Sequence, residues 1–239
     1  MREPDLYFQN NVHATRNLLN SLTAQEKTKI IFSSSCSVYG NSHFATENSP
    51  LNPLSNYAKT KLQSEIEISN AFKSHPKNLS IFRFFNVVGC LEIPLFCDIQ
   101  IETVLPASAR RILQGERPQI LGGGFSTEDG FAVREFIDVR DLVEALCLPL
   151  SKNISGIHNL SADQALSIKR VIDLLLEICN KKELGFEIGN PNTADPSIIR
   201  SRTSTEITQL EWIPKFSIGE SIESFWKTFK NYWLEVEKQ

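Results

Sequence analysis

Apolar and polar positions along the chain predict helices that each lead into a strand. Residues 10–22 carry apolar side chains at helical spacing, and the apolar segment 29–33 that follows is typical of a buried strand. The pattern continues with helices at 56–72, 104–113 and 142–148 and with strands at 79–85 and 134–139. Because helices that alternate with apolar strands are the pattern of a mostly parallel sheet with covered faces, we predict an α/β fold.

The pattern changes after Pro149 and predicts a smaller second lobe. A strand at 156–160 and a helix at 168–179 precede a loop rich in Asn and Pro at 189–196. In the last helix, Ser217 and Glu220 have the spacing of a capping box. The apolar positions of this helix form one stripe, which we expect to be core: Ile218, Ile222, Phe225, Trp226, Phe229 and Trp233.

Composition and charge narrow the function classes. The 239 residues are 41% hydrophobic and 22% charged, which is typical of a folded protein, and the net charge of −3 offers no positive field for nucleic acid. Five cysteines without a C-x-x-C pair and four histidines without ligand spacing predict neither a disulfide framework nor a metal site. No apolar segment has the length of a signal core or a membrane span, so we expect no membrane partner and a reducing, cytoplasmic location.

One predicted helix carries a tyrosine and a lysine that could act together. Tyr57 and Lys61 are four residues apart, so they share one face of the helix. An ammonium close to a phenol favours the phenolate, and a tyrosine with a lowered pKa could accept a proton from an alcohol. The serines at 33–35 end a predicted parallel strand, where open α/β sheets bind ligands. A chance Tyr–Lys pair on a surface helix and ordinary turn-forming serines remain open at this point.

A basic residue in a later strand is a candidate for binding phosphate. Arg134 can hold a diphosphate with its guanidinium fork, or it can form a structural ion pair with Glu135 or Asp138. Three successive glycines precede it at 122–124, but no Gly-Lys-Ser/Thr follows them, so a P-loop is excluded. The sequence also has no G-x-S-x-G motif, which argues against nucleophilic hydrolysis.

Four segments carry a specific combination of motifs. They are Ser-Ser-Ser-Cys-Ser-Val-Tyr-Gly at 33–40, Tyr-Ala-Lys-Thr-Lys at 57–61, Arg-Phe-Phe-Asn-Val-Val-Gly at 83–89 and Glu-Asp-Gly-Phe-Ala-Val-Arg-Glu-Phe-Ile-Asp-Val-Arg-Asp at 128–141. Together they resemble the extended short-chain dehydrogenase/reductase superfamily and, within it, the UDP-glucose 4-epimerases. The resemblance implies a partial Rossmann-type fold, a doubly wound and mostly parallel sheet that lacks its first strands, with a smaller C-terminal α/β substrate lobe.

The resemblance also implies a chemistry and the residues that carry it. It implies NAD-dependent epimerisation of a UDP-sugar at C4 through a 4-keto intermediate. Ser35, Tyr57 and Lys61 would form the catalytic unit: Tyr57 is the base, Lys61 lowers its pKa and holds the nicotinamide ribose, and Ser35 bonds the sugar hydroxyl. Asn10 and Phe85 would line the cofactor together with these three. The residues implied to bind the nucleotide sugar are Asn86, Thr103, Val104, Gln119, Ile120, Leu121, Arg134, Asn192 and Asp195.

The chain also departs from the family pattern. Thr103 stands where the family has an asparagine or histidine, and residues 192–195 read Asn-Thr-Ala-Asp where the family has Arg-Pro-Gly-Asp, so one phosphate-binding arginine is lost. The family's G-x-x-G-x-x-G turn, which receives the pyrophosphate of NAD, is not in the sequence. The chain therefore resembles the family from the end of its fourth strand onward, and we expect segment 29–33 to present an apolar edge.

The resemblance further predicts how the chain divides. Residues 1–90 with 131–150 would be the remainder of the NAD-binding and catalytic domain, and residues 91–130 with 151–239 the nucleotide-sugar-binding lobe. A homodimer or a partner chain that completes the sheet is expected at the free edge. Two alternatives stand beside an active epimerase: a non-catalytic remnant or subunit of a split enzyme, and a nucleotide-sugar dehydratase or reductase.

Overall fold

The protein folds into two compact units. The computed structural model describes residues 4–22, 27–91, 103–191 and 196–236. Unit 1 comprises Met1–Phe85, Val143–Ser161 and Ser201–Ile213. Unit 2 comprises Asn86–Leu142, Ala162–Arg200 and Pro214–Gln239. Each unit has an apolar core cluster of its own.

Helices and strands follow one another along the whole described chain. The helices are α1 (Pro4–Tyr7), α2 (Ala14–Ser21), α3 (Asn56–Ala71), α4 (Val104–Leu113), α5 (Val139–Ser151), α6 (Ile168–Ile178), α7 (Thr205–Thr208) and α8 (Ile218–Val236). The strands are β1 (Ile30–Ser35), β2 (Ser42–Ala45), β3 (Leu79–Phe84), β4 (Asn86–Val88), β5 (Gln119–Leu121), β6 (Val133–Asp138), β7 (Gly156–Leu160), β8 (Gln164–Ser167), β9 (Glu187–Gly189) and β10 (Ile198–Ser201). Within the described ranges, no helix combines the length and the apolar character that crossing a bilayer requires.

Unit 1 is built on a parallel three-stranded sheet with the order β1–β3–β7. Ser35, the last residue of β1, lies opposite Phe84 of β3. In the described residues, β3 is the one strand that pairs with β1, so the other edge of β1 has no strand on it there. The apolar side chains of β1 are half-buried rather than exposed, because they line a groove with Leu18 and Leu19 of α2.

Unit 2 has a second, mixed sheet and most of the aromatic core. Strands β10, β6 and β4 lie side by side in parallel, and β8 pairs with β6 in the antiparallel direction. A separate parallel pair joins β5 to β9. Helices α4, α6 and α8 pack together over one core cluster, which includes Leu105, Ile112, Val171, Leu175, Ile222 and Phe229.

The predicted start and apolar stripe of α8 are confirmed. The Ser217 N–H donates to Glu220 Oε2 at 2.8 Å, and the Glu220 N–H donates to Ser217 Oγ at 3.3 Å, which is the reciprocal pattern of a capping box. The stripe is core: Ile218, Ile222, Phe225 and Phe229 are buried, and Trp226 and Trp233 pack against the same cluster.

The predicted α/β fold class is confirmed, with differences at the level of single elements. Helix 104–113 and strand 156–160 have the predicted bounds. The first helical region begins at Pro4, earlier than the apolar spacing at 10–22 predicts, and includes a π-helical segment, Phe8–His13. Strands β2, β4, β5, β8, β9 and β10 were not predicted. Each has only three or four residues, too few to show an alternating pattern.

The predicted division into a cofactor-binding remainder and a sugar-binding lobe stays a prediction. By compactness, β6 groups with unit 2, whereas β7 groups with unit 1. The two units are defined by packing, and packing alone does not give a lobe its function.

Removing the ring of Phe229 tests the core of unit 2. This residue is fully buried, and its ring lies 5.3 Å from that of Phe225 and 6.2 Å from that of Trp233. We expect Phe229→Ala to lower the free energy of unfolding by about 3–5 kcal/mol, because it leaves a cavity as well as losing apolar burial. Urea denaturation followed by circular dichroism measures this change. The exposed neighbour Lys230 is the control, and equal losses in Phe229→Ala and Lys230→Ala would contradict the assignment.

Candidate active site

Ser35 sits where β1 turns into a short 3₁₀ segment, Cys36–Tyr39. Its Oγ accepts hydrogen bonds from the Ser37 N–H at 3.2 Å and from Ser37 Oγ at 3.0 Å, which fixes the serine side chain at the strand end. The segment ends at Gly40, which has a φ of 65°. A Cβ there would stand 2.0 Å from the Asn52 carbonyl oxygen, so the turn requires glycine.

Tyr57 lies in the first turn of α3. The helix is capped by Ser55, whose Oγ accepts from the Ala58 N–H at 3.1 Å. The tyrosine is 37% exposed, and its ring contacts that of Tyr7 edge-on with centroids 5.8 Å apart. Ser35 lies close enough to the Tyr57 phenol to lower its pKa. The structure therefore brings together the predicted serine and the predicted tyrosine.

The pKa of Tyr57 is raised in the structure, whereas the sequence analysis expects Lys61 to lower it; the catalytic role of the pair stays a prediction. Burial raises this pKa above the ordinary value of 10.0, and the hydrogen bond with Ser35 opposes the rise only in part. The nearby Cys36 and Tyr7 act in the same direction as burial. Partial desolvation of the phenol thus sets the direction of the shift.

Lys61 lies one helical turn after Tyr57, half-buried against the sheet. Its Nζ is 4.6 Å from the centroid of the Phe32 ring, a cation–π distance. Burial lowers the pKa of the Lys61 ammonium, and the negative charge of Glu65 acts against this. The ammonium therefore packs on the Phe32 ring, and the Glu65 carboxylate, one turn further along the helix, raises its pKa against the effect of burial.

A buried ion pair that the sequence did not reveal holds α3 against the sheet. Arg83 of β3 and Glu65 of α3 are 2% and 3% exposed. Arg83 donates from Nε to Glu65 Oε1 at 3.0 Å and from Nη2 to Glu65 Oε2 at 2.6 Å, a bidentate pair. Ser34 of β1 also donates to Glu65. Burial would lower the pKa of Arg83, but its hydrogen bonds with Glu65 and that carboxylate's charge raise it.

The ion pair continues into a wider polar network. Arg83 Nη1 donates to the Tyr39 hydroxyl at 3.0 Å, and this hydroxyl donates to Asn159 Oδ1 of β7 at 2.7 Å. Glu65 falls on the helix face of Tyr57 and Lys61, eight and four residues after them. That spacing was the available signal for Glu65.

The two remaining residues expected to contact the cofactor differ in exposure. Asn10 is exposed in the π-helical segment. Its neighbour Asn11 ties that segment to α3, donating from Nδ2 to Thr60 Oγ1 at 2.9 Å. Phe85, which follows β3, is 4% exposed, and its N–H donates to the Leu160 carbonyl. The roles of Asn10 and Phe85 stay predictions.

Seven of the nine residues expected to bind the nucleotide sugar line one cavity in unit 2. The cavity has a volume of about 500 Å³ and is partly open to solvent. The seven residues are Asn86, Thr103, Val104, Gln119, Ile120, Leu121 and Arg134. The other two, Asn192 and Asp195, lie outside the described residues. We name this space the unit-2 cavity.

Polar groups are fixed at several points of the unit-2 cavity. Asn86 donates from Nδ2 to the Glu135 carbonyl at 3.1 Å, and the 6% exposed Arg134 donates from Nη1 to the Val133 carbonyl at 2.8 Å. A second arginine, Arg111 on α4, also lines the cavity, and sequence reasoning had not singled it out. Two arginines that line one cavity favour an anionic ligand such as a phosphate ester.

A family assignment follows from the sequence. The model of the NAD dependent epimerase/dehydratase family matches residues 1–160, more than half of the chain. The chain therefore belongs to this family, and the resemblance found in the four motif segments is confirmed at that level. Among its relatives, UDP-glucose 4-epimerase 2 of Oryza sativa subsp. japonica is 30% identical over 239 residues, which are 95% of this chain and 58% of the rice protein.

Solved structures share the fold. UDP-glucose-4-epimerase from Stenotrophomonas maltophila, with bound NAD and formylated UDP-arabinopyranose, matches with a TM-score of 0.86 and 23% identity, over 97% of this chain and 72% of that one. dTDP-glucose 4,6-dehydratase from Bacillus anthracis, in complex with NAD, matches with a TM-score of 0.80 and 19% identity, over 97% and 71% of the two chains. Both epimerases and dehydratases thus share this architecture.

Neutralising Glu65 tests the buried ion pair. We expect Glu65→Gln to lower the free energy of unfolding by about 3–5 kcal/mol, because it leaves the Arg83 guanidinium buried without its counter-charge. The matched control is Glu67→Gln on the same helix, which breaks an exposed pair with Arg16 and should have a smaller effect. Urea titrations compare the two variants.

The double variant Glu65→Leu/Arg83→Met provides an independent check on the ion pair. It removes both buried charges and should recover much of the lost stability. Equal destabilisation by Glu65→Gln and Glu67→Gln would show that the pair does not constrain the fold.

The ionisation of Tyr57 can be observed directly because the chain has only four tyrosines. We expect Tyr57, labelled with ¹³C at Cζ and identified by its loss in Tyr57→Phe, to titrate above 10.0 by NMR, since partial burial disfavours the phenolate. Ser35→Ala should raise the midpoint further, because the Ser35 hydrogen bond lowers this pKa. A midpoint below 10.0 would mean that the positive charge of Lys61 outweighs burial.

Proposed function

We propose that this chain supplies the nucleotide-sugar cavity and the proton-transferring residues for NAD-dependent epimerisation of a UDP-sugar at C4. The observation that carries this proposal is the unit-2 cavity, because seven residues chosen from sequence motifs line a single space there. The cavity also has a suitable volume for part of a nucleotide sugar, since small-molecule sites usually measure about 300–1,000 Å³. The similarity to UDP-glucose 4-epimerases supports the same reaction class.

The nucleotide would be held by the polar groups of the unit-2 cavity. Arg134 offers a guanidinium for a diphosphate, and its burial makes that charge more effective than one in water. Asn86, held by its hydrogen bond to the Glu135 carbonyl, presents a side-chain amide to the same space. Main-chain groups of β5 at Gln119–Leu121 are suited to contact a pyrimidine base.

The proton would be handled by Tyr57 and Ser35 in unit 1. With a raised pKa, Tyr57 carries its proton at neutral pH, and this is the form that donates a proton to a keto oxygen at C4. Removing the proton from a C4 hydroxyl needs the phenolate, and Lys61, one turn away on the same helix face, is the cation that can stabilise it. Ser35, close to the Tyr57 phenol, would orient the sugar hydroxyl.

The residues of unit 1 fit one part of NAD, its nicotinamide ribose. Lys61 and Tyr57 provide an ammonium and a phenol on one helix face, and both are suited to bond ribose hydroxyls. When bound, NAD supplies the group that accepts and returns a hydride at the sugar. The sequence contains no glycine-rich turn for the pyrophosphate of this cofactor.

A related dehydratase is the second candidate. The family includes epimerases and dehydratases, and the Bacillus anthracis dehydratase shares the fold. The sugar accepted and the fate of the 4-keto sugar distinguish the two reactions, so identification of the products by NMR separates them.

The free edge of β1 favours an additional strand at that position. In the described residues this strand pairs on one side only, and its apolar side chains line a groove of about 420 Å³ with α2. Unpaired strand edges are sites of β-pairing. We propose that a strand from a partner chain, or from a second copy, covers this edge, and size-exclusion chromatography with light scattering tests the homodimer. None of the four described cysteines forms a disulfide, which supports a reducing, cytoplasmic location.

Calorimetry with UDP and UDP-glucose tests the binding part of the proposal. We expect both ligands to bind the folded chain, and Arg134→Met to weaken UDP binding about tenfold or more, because a charge-assisted hydrogen bond to phosphate is lost. Arg170→Met removes an equal charge from a half-exposed side chain of α6 and serves as the control. A folded wild-type chain that binds neither UDP nor UDP-glucose would overturn the proposal.

Conversion of UDP-galactose in the presence of NAD tests the chemistry. We expect UDP-glucose to form, and Tyr57→Phe to abolish its formation while UDP binding is retained. Binding without any conversion, with or without NAD, would favour the non-catalytic remnant or the subunit of a split enzyme.

A further inference from the structure

Arg111 on α4 lines the unit-2 cavity, and the ion pairs that it forms with described carboxylates are long. Its Nη2 lies 3.4 Å from Glu187 Oε2 and 3.7 Å from Glu116 Oε2. These distances exceed the 2.7–2.9 Å of a strong charge-assisted hydrogen bond. The side chain is 33% exposed, and those of Glu187 and Glu116 are 48% and 55% exposed, so both ion pairs are weak and exchangeable.

The guanidinium is nevertheless held in position. Arg111 Nε donates to the Arg117 carbonyl at 2.5 Å, in the turn that follows α4. In the described residues, Nη1 of Arg111 donates to no acceptor. Nε is anchored, Nη1 has no acceptor among the described residues and Nη2 is loosely paired, so two donor groups are available to a ligand.

The position of Arg111 places it at the β5 end of the cavity. Glu187, its loose partner, lies directly opposite Gln119 in the β5–β9 pair. Gln119 lines the unit-2 cavity, as does Arg111 itself. A ligand that extends along this cavity from Arg134 therefore meets a second guanidinium.

The sequence shows why a second cation matters. Asn192 stands where the family pattern has a phosphate-binding arginine, so the chain has one positive charge fewer for its ligand. An arginine elsewhere in the same cavity can restore that charge, because a guanidinium is always charged and its fork of N–H donors matches phosphate oxygens.

We propose that Arg111 is a second cationic binding residue for the nucleotide, acting beside Arg134 on the oxygen acceptors of a nucleoside diphosphate. The inference rests on the proposed function, since it assumes that a nucleotide occupies the unit-2 cavity. Glu187 competes with the ligand for the Arg111 guanidinium.

Calorimetry with UDP, uridine and pyrophosphate tests this role. We expect Arg111→Met to weaken UDP binding about tenfold, the effect of one lost charge-assisted hydrogen bond. The matched control is Arg110→Met, which removes the same charge from the adjacent position of α4. Arg110 is not among the described residues that line the cavity, so UDP affinity should be unchanged. A loss for pyrophosphate places the contact at the diphosphate, and a loss for uridine places it at the nucleoside; either supports the proposal.

Glu187→Gln gives a second test that does not remove the arginine. With the competing carboxylate neutralised, UDP should bind about threefold more tightly at low salt, and the gain should shrink as ionic strength rises. This arm remains informative even if Arg111→Met fails to fold.

The outcomes separate this inference from the proposed function. Equal UDP affinities in wild type, Arg111→Met and Arg110→Met overturn the role of Arg111 alone. Equal losses in the two arginine variants also overturn it, because they indicate a general effect of charge. A folded wild-type chain that binds none of the three probes overturns the proposed function together with this inference.

Discussion

The buried pair between Arg83 and Glu65 is the constraint on which the arrangement of unit 1 depends. Two charges removed from water are tolerated only when each is fully hydrogen-bonded. Here the Glu65 carboxylate accepts from Nε and Nη2 of Arg83 and from the Ser34 hydroxyl. These partners lie on α3, β3 and β1, so a rotation or a slide of the helix would leave a charge unpaired. The pair therefore fixes the face of α3 on which Tyr57 and Lys61 stand.

This fixed helix face determines the ionisation of the tyrosine. With α3 held against the sheet, Tyr57 is partly buried and Lys61 is packed over Phe32, 4.6 Å from the ring. Both groups are thereby pushed toward their neutral forms, because partial burial penalises the phenolate and the ammonium alike. Ser35 and Glu65 counteract burial at Tyr57 and Lys61 respectively. The pKa of each residue therefore depends on packing as well as on the spacing of the motif.

The sequence predicted the long elements and the motif residues but missed features that depend on distant contacts. Helix α4 and strand β7 carry enough periods of apolar positions to be read directly, whereas strands of three residues such as β5 do not. Glu65 looked like an ordinary polar residue of a helix, since its partner Arg83 lies on another element. The seven cavity residues were found through family motifs, and Arg111 was missed because it matches none of them.

The two kinds of arginine in this molecule show how geometry separates a structural charge from an available one. Arg83 is 2% exposed, and its Nη2 lies 2.6 Å from the Glu65 carboxylate. Its Nε and Nη2 donors are therefore already used within the fold. Arg111 is 33% exposed and meets its nearest carboxylate only at 3.4 Å, so a ligand oxygen can replace that partner at little expense to stability. A charge that stabilises a fold must be saturated, whereas a charge that binds a ligand must be positioned and left unsaturated. By this criterion the Arg83–Glu65 pair of unit 1 is structural. Arg111 of unit 2 has the properties of a ligand-binding residue, as proposed for a nucleoside diphosphate.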